Sequence, residues 1–86
     1  MLVALKGVIY DVSSSDFYSV GGGYHLFAGH DASINLAKMS HDTEFLDKWE
    51  QYELNKEETQ VLNDWVARFS MKYHTVGNVI TGAPTL

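Results

Sequence analysis

Cysteine is absent from these 86 residues, and with it go disulfides, thiolate zinc sites and iron–sulfur clusters. A chain without thiols fits a reducing compartment, so a cytoplasmic protein is expected. Basic residues are scarce, six against eleven acidic ones, and the formal charge of −5 has the wrong sign for a protein that lives on phosphate backbones. Nucleic acid is therefore not an expected partner. No apolar run approaches the length of about 18 residues that a membrane span needs. The opening MLVALKGVIY is broken at Lys6-Gly7 too early to serve as a signal peptide, so a soluble chain is expected. Proline occurs once, and no linker, internal repeat or low-complexity stretch divides the sequence. What is present is 45% hydrophobic and 13% aromatic residues, the composition of one small globular domain spanning 1–86. A domain of this size folds alone only marginally, so a ligand, cofactor or partner would add much to its stability.

Leu2 to Leu5 and Val8 to Val12, joined by Lys6-Gly7, read as a β-hairpin. Tyr24 to Phe27 predicts a short helix stopped by Ala28-Gly29. A second helix follows, with Asp31 as N-cap and Ile34, Leu36, Ala37 and Met39 as its apolar positions. The spacing of Phe45, Leu46 and Trp49 predicts a third, starting near Ser40 or Asp42. The clearest is the fourth, where Asn55 and Glu58 form a capping-box variant ahead of Val61, Leu62, Trp65, Val66 and Phe69 at helical spacing. Trp65 and Phe69 read as core. Residues 71–81 read as irregular chain or a last short strand and 82–86 as a tail, so strands at both ends bracket the helices in an α+β fold.

Few residue patterns carry chemistry. The run Gly21-Gly22-Gly23 lacks the Gly-Lys-Ser/Thr ending of a phosphate loop, but glycine also serves where backbone must approach a flat ligand closely. His25, His30, His41 and His74 include no i, i+4 pair of the zinc-hydrolase kind. Ser13 to Ser15 have no nucleophile-elbow context, and no paired carboxylates sit in an apolar setting. No enzymatic activity is expected.

The segments KGVIYDVSSSDFY, GGGYHLFAGHDAS and LNDWVARFSMKYHTVGNVI, in that order, resemble the membrane-associated progesterone receptor (MAPR) family, a branch of the cytochrome b5-like haem/steroid-binding domains. The resemblance covers roughly residues 4–80. It rests on Tyr10-Asp11-Val12, Phe17-Tyr18, the glycine run leading to Tyr24, Asp31-Ala32-Ser33, and Trp65 with Lys72-Tyr73-His74 downstream. It implies a small sheet with helices around an open pocket, and haem b held by a tyrosine oxygen. By motif that tyrosine is Tyr24, with Tyr18, Lys72 and Tyr73 lining the haem face and Gly22 and Gly23 letting the loop lie flat against the macrocycle. A free phenol titrates at about 10, so ligation at neutral pH needs ferric iron to displace the proton, with a cation such as Lys72 assisting. A hard phenolate favours the ferric state and lowers the potential, which suits haem handling, sensing or redox support of a partner protein.

Two departures from the family stand out. The family usually carries a further segment before the first strand, so one sheet edge is expected to be uncovered, or covered by a partner or a second copy; the haem face is the other candidate for self-association. His41 falls where true cytochrome b5 has its second axial histidine, while the His-Pro-Gly-Gly of that protein is missing, which argues against an ordinary electron carrier. We read His41 first as the cap of a helix beginning at Asp42, with a second axial ligand as the alternative. The family's name supplies the other function, an interaction or small-lipid/steroid-binding module without obligate haem.

Overall fold

A computed structural model describes residues 1–79. Lys6 and Gly7 both adopt positive φ, 51° and 77°, the two-residue turn whose twist matches that of paired strands. They join β1 (Leu2–Leu5) to β2 (Val8–Asp11) in the register Leu5↔Val8 to Leu2↔Asp11. The turn is not left to solvent. Its two N–H groups are accepted by side chains from across the molecule, Lys6 N–H by Ser33 Oγ at 2.6 Å and Gly7 N–H by Asp31 Oδ2 at 3.1 Å.

Asp31 thus does two jobs, since its other oxygen accepts Ser33 N–H at 2.9 Å at the start of α1 (Ser33–Lys38). The helix cap itself falls one residue later than the sequence indicates, at Ala32, which has no side chain to bond the helix. Met39, expected as an apolar helical position, ends α1 in the left-handed conformation, φ 54°, and is 78% exposed. The expected first helix is a single 3-10 turn, His25–Phe27, and Gly29 at φ 82° reverses the chain after it.

The third helix does not form. Only a 3-10 turn, Thr43–Phe45, appears there, capped by the Asp42 carboxylate on Glu44 N–H at 2.9 Å. Asp47 at φ 60° turns the chain before a second helical turn could close, and the Asn35 side-chain amide holds the carbonyls of Ser40 and Asp42 at 3.3 and 2.8 Å. Phe45 packs edge-on against Tyr52 instead, centroids 5.3 Å apart.

α2 (Lys56–Lys72) begins as the sequence predicts, with Asn55 and Glu58 bonding one another's backbone N–H at 2.8 and 3.0 Å. It runs directly into β3 (His74–Asn78), which pairs antiparallel with β2 to complete the sheet β1-β2-β3. A bulge at Val76 shifts the register between Ile9↔Gly77 and Tyr10↔Thr75. The rest of the expected C-terminal segment, residues 80–86, lies outside the described residues.

The outer edge of β1 is covered by the chain itself, so the uncovered edge expected from the sequence is not this one. The chain's own residues 29–32 lie along it, with Gly29 N–H on Leu2 O at 2.6 Å, Ala4 N–H on His30 O at 3.0 Å and Ala32 N–H on Ala4 O at 2.9 Å. Among the described residues the exposed edge strand is β3. Between the sheet and α2 lies the core of Leu5, Val12, Tyr18, Phe27 and Phe69, each almost wholly buried. Burial at roughly 1.5–3 kcal/mol per large side chain makes this cluster the main source of stability.

Candidate functional site

The loop between Phe17 and Tyr24 is closed by its own backbone: Tyr24 N–H donates to Phe17 O at 2.7 Å and Gly22 N–H to Ser19 O at 2.8 Å. Gly21 takes φ 89°. A β-carbon at Gly22 would run into the carbonyl oxygens of Asp16 and Phe17, whereas one at Gly23 would meet nothing. The glycines therefore split in role, Gly22 being required by the loop itself and Gly23 facing open space. His25 fixes the far side, its Nδ1–H donating to the Tyr18 carbonyl at 3.0 Å.

This loop delivers Tyr24, half-buried, into an aromatic cluster. Tyr24, Phe27 and His41 have mutual ring separations of 5.7, 5.8 and 5.5 Å and interplanar angles of 19–20°. Three equal spacings cannot make a column, in which the outer rings would be twice as far apart. The rings instead form a patch of near-parallel planes, with Trp65 standing at 88° to Tyr24 at 6.3 Å. His41 does not cap the turn at Asp42, which caps itself; its ring belongs to this patch. Asn35 presents it, because the carbonyls that the Asn35 amide holds flank His41 on both sides.

Two clefts adjoin at Tyr24 and Trp65, which line both. One, of about 360 Å³, is walled by Phe27, Leu36, Met39 and His41; Asn35, which also borders it, has a buried Oδ1 that no group of the described residues satisfies. The other, of about 610 Å³, is walled by Phe17, Tyr18, Arg68, Phe69, Lys72 and Tyr73. The structure thus brings Tyr18, Tyr24, Lys72 and Tyr73 to one groove and puts His41 at its other end. Tyr18 is 2% exposed, and burial, reinforced by the neighbouring Tyr73 and Tyr24 hydroxyls, pushes its phenol well above the ordinary tyrosine range. It is a neutral donor in this site and no source of phenolate. Trp65, read from the sequence as core, is a groove wall; Arg68 and Asn35 carried no sequence signal, since an exposed helical arginine and a buried helical asparagine look ordinary until their neighbours are known.

The residues present fit a haem. The groove offers a broad aromatic surface, one tyrosine reachable from both clefts, and cations on one side, and its oxygen donor is of the hard type that ferric iron prefers. Among the described residues no group of histidine and acidic side chains is arranged to hold a bare metal ion, and no helix is long and apolar enough to cross a membrane.

The family described as cytochrome b5-like heme/steroid binding domain matches residues 1–80. The chain is 47% identical over 88 residues to the cytochrome P450 regulator dap1 of Schizosaccharomyces pombe, covering 94% of this chain and 53% of that protein. It is 44% identical over 80 residues to the probable steroid-binding protein 3 of Arabidopsis thaliana, covering 92% and 79%, and 35% identical over 83 residues to membrane-associated progesterone receptor component 2 of the rat, covering 93% and 38%. A solved Arabidopsis thaliana protein with a cytochrome b5-like fold superposes with TM-score 0.82 at 42% identity, covering 93% of this chain and 73% of that one. The chain spans about half the length of the fission-yeast relative and 30% of membrane steroid-binding protein 2 of rice.

Proposed function

The chain belongs to the MAPR branch of the cytochrome b5-like haem/steroid-binding domains and has their fold, and from that premise we propose that its groove binds haem b, with the Tyr24 oxygen as the ligand of ferric iron. The observation that carries this reading is the position of Tyr24, half-buried and common to both clefts, at the end of a loop whose backbone is fixed on both sides of it. Bound there, haem b supplies a ferric centre whose potential a phenolate oxygen keeps low. Gly23, with open space before it, lets the macrocycle approach the loop. Tyr18 stays protonated and can donate a hydrogen bond to Tyr24 or to a ligand oxygen, and Tyr73 and Lys72 close the far end. Lys72, 5.8 Å from the Tyr73 ring centroid, brings a positive charge to that end of the groove.

Such a centre supports a role in haem handling, sensing or the redox support of a partner protein. The fission-yeast relative's name points to a cytochrome P450 as the class of partner. A second reading, a neutral steroid in the same groove, is favoured by the apolar wall of Phe27, Leu36 and Met39 and by the names of the plant relatives. Titration with haemin separates the two. The parent should develop a saturable Soret band at one equivalent, and Tyr24→Phe, which keeps the ring and removes the oxygen, should lose at least about tenfold in affinity. Superimposable titrations of parent and variant would contradict Tyr24 ligation, and a steroid that binds tightly where haemin does not would favour the second reading.

A further inference from the structure

Arg68 and Lys72 lie one turn apart on α2 and both border the larger cleft. The guanidinium carbon of Arg68 sits 5.6 Å from the ring centroid of Trp65, and the ammonium of Lys72 5.8 Å from that of Tyr73. The charged head of each is thus placed near an aromatic wall of the groove. Neither belongs to an ion pair among the described residues, where the pairs are His30–Asp47 and Lys38–Glu58. The acid one turn before Arg68 is engaged elsewhere, Asp64 Oδ1 accepting from Gln60 Nε2 at 3.0 Å. Asp16 shares a neighbouring cleft with Lys72 and does not bridge to it.

Two like charges at i, i+4 repel, and an anion lying between them would offset that repulsion in a chain whose formal charge is −5. We propose that Arg68 and Lys72 form a clamp for two carboxylates carried on one edge of a flat ligand, with Arg68 the residue that selects such a dianion over a neutral molecule of the same apolar body. The separation suits this, since side chains one turn apart on a helix leave the backbone about 5–6 Å from one another. The planar guanidinium offers paired N–H donors that match a carboxylate, and its position over Trp65 limits the orientations it can take. This rests on the groove being a porphyrin site, and it sharpens that reading: the clamp rewards the two propionates of haem and gives nothing to a neutral steroid.

The test uses metal-free protoporphyrin IX and its dimethyl ester, which differ only in the two acidic groups, followed by quenching of tryptophan fluorescence. The parent should bind the free acid about five- to tenfold more tightly than the ester, with the advantage shrinking as salt rises. In Arg68→Gln the free acid should weaken far more than the ester, so that the preference falls to about twofold while thermal unfolding stays unchanged, and Arg68→Lys should recover only part of it. An undiminished acid preference in Arg68→Gln, or equal weakening toward both porphyrins, overturns the clamp. Because these ligands hold no iron, the preference should survive in Tyr24→Phe, so failure of tyrosine ligation and failure of the clamp are told apart. If neither porphyrin binds the parent, the clamp is overturned, while the haemin titration still decides tyrosine ligation.

Discussion

Gly22 is the member of the glycine run that the fold cannot replace, because the carbonyls of Asp16 and Phe17 occupy the space its side chain would need. Gly23 next to it has open space. Gly22→Ala should therefore destabilise the domain by about 1–3 kcal/mol, and Gly23→Ala should stay within about 0.5 kcal/mol. Urea unfolding midpoints measure both, and equal effects at the two positions would contradict the division. The sequence displays three identical letters, and only the return of the chain past residues 16 and 17 distinguishes them. Tyr24 stood out because a glycine run leading into an aromatic is a local pattern. Asn35 did not, because its importance lies in bonds to Ser40 and Asp42, carbonyls that any residue type would offer.

The elements that the sequence announces are those whose determinants are local. In α2 the Asn55–Glu58 box and the apolar spacing behind it sit within consecutive turns, and the observed helix begins where they place it. The failed helix after Asp42 had the right apolar spacing, but its fate was settled by the left-handed Asp47 and by contacts from α1. Removing the cap with Asn55→Ala should cost about 1 kcal/mol in urea unfolding. The Glu58 carboxyl lies below the ordinary carboxylate range, first because the Asn55 N–H donates to it and then because of Lys38. Ser13 lowers Asp11 in the same way. A depressed folded-state value means that this stabilisation is present above the ordinary carboxylate range and is lost as pH falls through the lower folded-state value. Unfolding midpoints followed from neutral pH into that acid range should fall, and Glu58→Gln should flatten the decline; an identical acid limb in the variant would show that Glu58 carries none of it.

At the scale of the molecule, the sheet draws its strands from both ends of the chain, and α2 with the 17–27 loop forms the two sides of one groove. The α+β class and the main groove residues were legible because they rest on patterning and on family motifs. The groove's outline was not, since Trp65 is a wall only because its neighbours leave it half-exposed, and Arg68 is a rim cation only because α2 turns that face toward Tyr18 and Tyr24. The central claim of the whole arrangement is that one tyrosine, held in place by the fold, is the iron ligand, and that His41, packed flat in the ring patch with Tyr24 and Phe27, is not a second one. Electron paramagnetic resonance of the haemin-loaded ferric protein, parent beside Tyr24→Phe and His41→Ala, tests this most directly. The account expects a high-spin signal in the parent that persists in His41→Ala and is lost or reshaped in Tyr24→Phe; a low-spin parent signal that turns high-spin in His41→Ala, or a parent signal unchanged in Tyr24→Phe, would contradict it.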